Sequence, residues 1–167
     1  MAYMLGRDPA CISRFPAILA LTVCGIVPSH AQPAPTQREA SASERALMAR
    51  SFASEKLWMW QKRLNLREWD ISVVVSRAGE LKPKTLGNIR WDLNRKTAII
   101  HVLDPADYHV PLAAMLRDIE FTVVHELVHL EMVPVLSDLQ RTDENRVEEE
   151  HAVNHMAEAL LKLDRSR

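Results

Sequence analysis

Pro111–Val133 reads PLAAMLRDIEFTVVHELVHLEMV and is the longest helical pattern in the chain. A proline suits the first turn of a helix, and Pro134 sets the expected far limit because it cannot continue the hydrogen-bond ladder. The interior is strongly apolar, so the helix is expected to be mostly buried. Yet it carries His125, Glu126 and His129. Two imidazoles and a carboxyl group are costly in such a place unless something satisfies them. Residues four apart lie one above the other on a helix, so both rings face the same way.

The rest of the fold reads outward from this helix. Ser41, with Glu44 three residues on, makes a capping box, and a helix is expected from there to about Leu64. Its apolar positions Ala49, Ala53, Leu57, Trp60 and Leu64 recur at steps of three and four, the spacing of one packed face. Trp58 and Trp60 are read as core packing. The β-branched run Trp69–Val75 predicts a strand, and Gly79–Pro83 is turn chemistry. Leu86–Leu93 and Thr97–Leu103 flank Asn94-Arg95-Lys96 and suit a hairpin. Asp104-Pro105 ends the sheet. A last helix is expected from near Thr142, with Asp143 and Glu144 favourable in its first turn. The order of helix, three strands, helix, helix predicts an α+β domain.

The chain of 167 residues holds one domain comfortably, and its 47% apolar and 26% charged residues are ordinary globular composition. A net charge of −1 gives no basic excess, which argues against nucleic acid as a partner. The first 31 residues differ. Arg7 and Arg14 precede an apolar run from Phe15 to Val27, and Ser29-His30-Ala31 places small residues at −3 and −1. That layout predicts a signal peptide with cleavage before Gln32 and a periplasmic or secreted product. A mis-assigned start on a cytoplasmic protein would leave a similar stub. Leu21-Thr22-Val23-Cys24 resembles a lipobox, but Val23 stands where a small residue belongs. The apolar run is too short for a stable membrane anchor. Residues 32–42, rich in Pro, Ala, Gln and Ser, read as a tether, and 43–167 as the domain. Cys11 and Cys24 both fall in the leader, so a chain starting at Gln32 has neither disulfides nor thiolate ligands.

His125-Glu126-Leu127-Val128-His129 offers two imidazoles to one ion, and zinc accepts such nitrogens at about 2.0–2.1 Å. Glu126 stands beside the first ligand, where its carboxylate can take a proton from water activated by the metal. Chance would give this pattern in roughly one chain in two hundred of this size. A catalytic zinc needs a third protein ligand. Met132 and Val135 stand where the pattern HExxHxxGxxH has glycine and histidine, so that route fails. The acidic run Glu148-Glu149-Glu150 on the following helix is the other source. Glu150 lies between the set Val147, Asn154, Ala157, Leu161 and the set Val153, Ala157, Leu160, and so faces inward. Glu149 is the fallback and Glu148 points away. Asn154, one turn on, is placed to hydrogen-bond a ligand histidine and fix its tautomer.

HELVH followed after 20 residues by Glu150, with a polar residue at the next turn, resembles the gluzincin zinc peptidases. The short element order is similar to their reduced relatives, the minigluzincins. The resemblance covers Trp69 to Leu163. It implies a minimal zincin-like domain with zinc on His125, His129 and Glu150, Glu126 as general base, and a peptide or protein as substrate. Spartan-type peptidases use a third histidine instead, which leaves His151 as another candidate ligand. Asn154 replaces the acidic residue usual after the third ligand. The lobe that supplies a transition-state histidine in larger members is absent, and Tyr108, His109 and His155 are candidates for its role. An extended peptide is expected to pair with an edge strand within Leu86–Leu103. The competing readings are a non-catalytic zinc-binding module and an amide hydrolase acting on another substrate such as peptidoglycan.

Overall fold

In the computed structural model, residues 40–136, 139–140 and 142–166 are described. The expected leader and most of the tether lie outside them. Helix α1 (Ala42–Arg63) starts at the last residue of that expected tether. The capping box forms as expected: the Ser41 hydroxyl accepts from the Glu44 amide, and the Glu44 carboxylate accepts from the Ser41 amide at 2.7 Å. Ala49, Ala53, Leu57 and Trp60 make its buried stripe. Trp58 departs from the expectation. It is 69% exposed and lies beneath the Lys62 ammonium at 5.6 Å, because position 58 falls on the helix face opposite the stripe.

Three strands follow: β1 (Asp70–Ser76), β2 (Gly87–Asp92) and β3 (Thr97–Leu103). Their spatial order is β1-β3-β2, with β3 parallel to β1 and antiparallel to β2. The β2–β3 hairpin turns where expected. The Asp92 carboxylate accepts from the amides of Asn94 and Arg95, and Lys96 takes a left-handed φ of 52°. Since β3 is central, β2 is an edge, and among the described residues no strand pairs with its side away from β3. Ala98, Ile100 and Val102 of β3 point into the core at 3% exposure or less.

Helix α2 (Leu112–Leu136) fills the centre and packs against α1, β2, β3 and α3 (Asp143–Arg165). Met115, Ile119, Val123, Val124 and Leu127 are fully buried. Each such aliphatic side chain contributes roughly 1.5–3 kcal/mol on burial. α2 runs through Pro134 to Leu136, past its expected limit. Proline removes one ladder bond, and in the last turn little helix remains to be lost. Glu120, 8% exposed within this core, is paired with the Lys56 ammonium at 2.9 Å and accepts from the Trp60 indole N–H at 3.4 Å. α3 is capped by the Thr142 hydroxyl and buries Val153, Ala157 and Leu161. Val147, expected on that inner face, is 52% exposed because it precedes the part of α3 that packs.

Gly87 brings β2 onto α2. A Cβ there would collide with the His101 carbonyl oxygen and the Thr122 methyl group. Gly87→Ala is therefore expected to push the edge strand off the helix, at a cost of about 1–3 kcal/mol. Thermal melts of the two proteins measure this, and an unchanged midpoint would mean that the strand adjusts without strain.

Candidate metal centre

His125 and His129 project from the same side of α2, and α3 passes alongside so that Glu149 and Glu150 reach them. The two ring Nε2 atoms face each other at 3.0 Å. The Glu150 carboxylate oxygens lie 3.3 Å from His125 Nε2 and 3.4 Å from His129 Nε2. Two nitrogen lone pairs at that separation, with a carboxylate beside them, repel unless a proton or a cation is shared among them. Ligands held at 2.0–2.1 Å around a tetrahedral ion stand roughly 3.3–3.4 Å apart, close to the spacing observed. His125, His129 and Glu150 are thus a group that could hold a metal ion.

Glu149 does not compete for that position. Its carboxylate accepts from His129 Nδ1 at 3.0 Å and its side chain is 10% exposed, against 56% for Glu150. A carboxylate on Nδ1 fixes the tautomer that leaves Nε2 free for a cation. Sequence reasoning gave Asn154 this orienting task. Asn154 stands by His125 and its side-chain hydrogen bonding favours the charged ring, yet His125 Nδ1 is buried without a partner. The oriented ring is His129 and its orienting group is Glu149. His151 is exposed and lies outside the donor cluster.

Glu126 is 7% exposed, on the floor of a cleft of about 480 Å³. Burial pushes its carboxyl up to about 8, the Glu150 charge adds to the rise, and Lys82 opposes it. The His125 ring is pushed down, first by burial and then by His129, with Glu150 and Asn154 acting against the shift. A divalent cation among these donors would reverse the local logic and favour the ionised carboxylate.

The cleft runs between two walls. One is the segment Lys82–Ile89 with Trp91, which includes the free edge of β2. The other is α3, through Arg146, Glu149, Glu150 and Asn154. Phe121, Thr122 and the motif residues form the floor. None of Tyr108, His109 and His155 lines it. Tyr108 is packed against the core with its hydroxyl buried and unpartnered, and burial raises it to about 12. His109 and His155 are exposed elsewhere. Lys82 and Arg146 are cleft residues that sequence reasoning passed over. Arg146 carried a usable signal, being three and four residues before Glu149 and Glu150 on one helix face. Lys82, in a turn, carried none.

Among the described residues no helix is long and apolar enough to cross a membrane. No family model matches the chain, and neither does any curated protein or any solved structure.

Proposed function

We propose that the protein is a zinc-dependent metallopeptidase in which His125, His129 and Glu150 hold the ion and Glu126 is the general base. The observation that carries this reading is the position of Glu126. A buried carboxyl group stands one residue from a ligand, in the same cleft as the three donors, where a metal held only for structure would have no use for it. Zinc bound there would polarise the scissile carbonyl and acidify the attacking water.

The protein's own residues supply the remaining steps. Glu126 accepts the proton of the attacking water and delivers it to the departing amine. The free edge of β2 offers main-chain N–H and C=O groups to an extended peptide laid across α2. Glu149 holds the His129 ring still while charge at the centre changes.

A closed structural zinc site uses four protein donors, and three converge here among the described residues, which favours catalysis over a purely structural role. The same chemistry would serve an amide hydrolase acting on peptidoglycan, but the unpaired strand edge suits an extended peptide better. Elemental analysis of the purified protein beside His129→Ala is the test. About one zinc per chain is expected in the parent, little in the variant, together with peptide cleavage that a chelator abolishes. A parent protein that takes up no zinc after reloading would end this reading.

A further inference from the structure

Among the described residues, the charged groups of the cleft divide into two sets. Its three carboxylates are occupied around the centre: Glu150 faces both Nε2 atoms, Glu149 accepts from His129, and Glu126 is buried beside them. Its two cations are not. Lys82 lines the wall that carries β2 and Arg146 lines the wall made by α3, and neither is ion-paired to another described residue. Arg146 shares a helix face with Glu149 and Glu150, so its guanidinium lies on the donor side of α3. Lys82 is close enough to influence Glu126. A ligand entering the cleft thus meets one free cation on each side of the reacting centre. The other described side chains that line the cleft, among them Thr85, Trp91 and Phe121, are uncharged.

We infer that this cleft selects peptides bearing a carboxylate next to the bond that is cut, with Lys82 and Arg146 as the residues that recognise it. The inference rests on the peptidase reading and deepens it. A carboxylate can come from an Asp or Glu side chain or from a peptide's own C-terminus, and both place the same planar anion before a guanidinium or an ammonium. Two partly exposed ion pairs, each modest in water, together account for about a tenfold preference, weakened by salt.

The test uses the zinc-loaded full chain carrying Glu126→Gln, so that peptides bind without being consumed. Fluorescein-labelled nine-residue peptide mixtures containing glutamate are compared by anisotropy with mixtures containing glutamine, both amidated at the C-terminus. A third mixture contains glutamine and a free C-terminal carboxylate. The glutamate mixture is expected to bind about tenfold more tightly than the amidated glutamine mixture, with the ratio shrinking as salt rises. Adding Lys82→Glu and Arg146→Glu should reverse the order in favour of lysine-containing peptides. Tight binding by the third mixture as well would assign the terminal carboxylate as a source, and its absence would restrict recognition to side chains. Equal affinity for acidic and neutral mixtures, or no binding of either, overturns the inference. Zinc-loaded parent protein incubated with the same mixtures separates the two claims. Cleavage without acidic preference leaves the peptidase reading standing alone, whereas acidic preference in binding with no cleavage leaves the recognition standing and removes the reaction.

Discussion

Glu126→Gln is expected to keep the metal and to lose roughly 10²–10⁴-fold in kcat, the range that positioned general acid–base groups supply. Glutamine matches glutamate in shape, so the packing around a residue only 7% exposed survives, but an amide cannot accept the water's proton. Zinc content and kcat measured on one preparation check both halves. Normal turnover by the variant would remove Glu126 from the mechanism. Zinc lost with turnover would make the residue a determinant of metal binding instead.

The same substitution has a second signature. In protein stripped of metal, the Glu126 carboxyl sits at about 8 in the folded state against an ordinary value of 4.5. The raised value means that the folded state holds this proton more tightly than the unfolded chain does. The stability so conferred is fully present below about 4.5 and is lost as pH rises through about 8. Chelator-treated parent protein should therefore melt at progressively lower temperature between pH 5 and pH 9 relative to Glu126→Gln, which has no proton to lose there. Parallel melting curves across that range would contradict the burial-driven shift.

The elements were legible in the sequence because each carries a local signal. The Ser41–Glu44 box, the β-branched strands, the Asn94–Lys96 turn and the Thr142 cap all act over a few residues, and each element begins within a residue or so of its signal. The convergence of His125 and His129 was legible for the same reason, since both lie on one helix. Other features depend on how helices cross, which periodicity does not encode. Glu149 and Glu150 are adjacent in sequence, so their side chains diverge by about a quarter-turn of helix. The angle between α3 and α2 alone decided that the more exposed one faces both Nε2 atoms and the more buried one meets Nδ1. Trp58 shows the converse. An aromatic residue next to a packed stripe reads as core, but a rotation of 200° from Trp60 puts it in water.

That division between neighbouring glutamates leads to the sharpest contrast expected of this centre. Glu150→Ala removes a donor and should leave too few ligands to retain zinc, so the metal is lost on simple dialysis. Glu149→Ala removes the acceptor behind His129 and leaves His125, His129 and Glu150 in place. Substitutions of orienting partners of this kind cost about 10–100-fold in metal affinity, and the variant should still bind zinc when it is supplied in excess. Competition with a chromophoric chelator of known affinity reads both. Glu149→Gln supplies the control, because its side-chain oxygen can still accept from Nδ1–H while carrying no charge. Partial recovery of affinity in Glu149→Gln over Glu149→Ala identifies a residue that orients the ring. If Glu149→Ala instead lost zinc on dialysis while Glu150→Ala retained it, the third donor would be Glu149, and α3 would have to turn about its axis to present it.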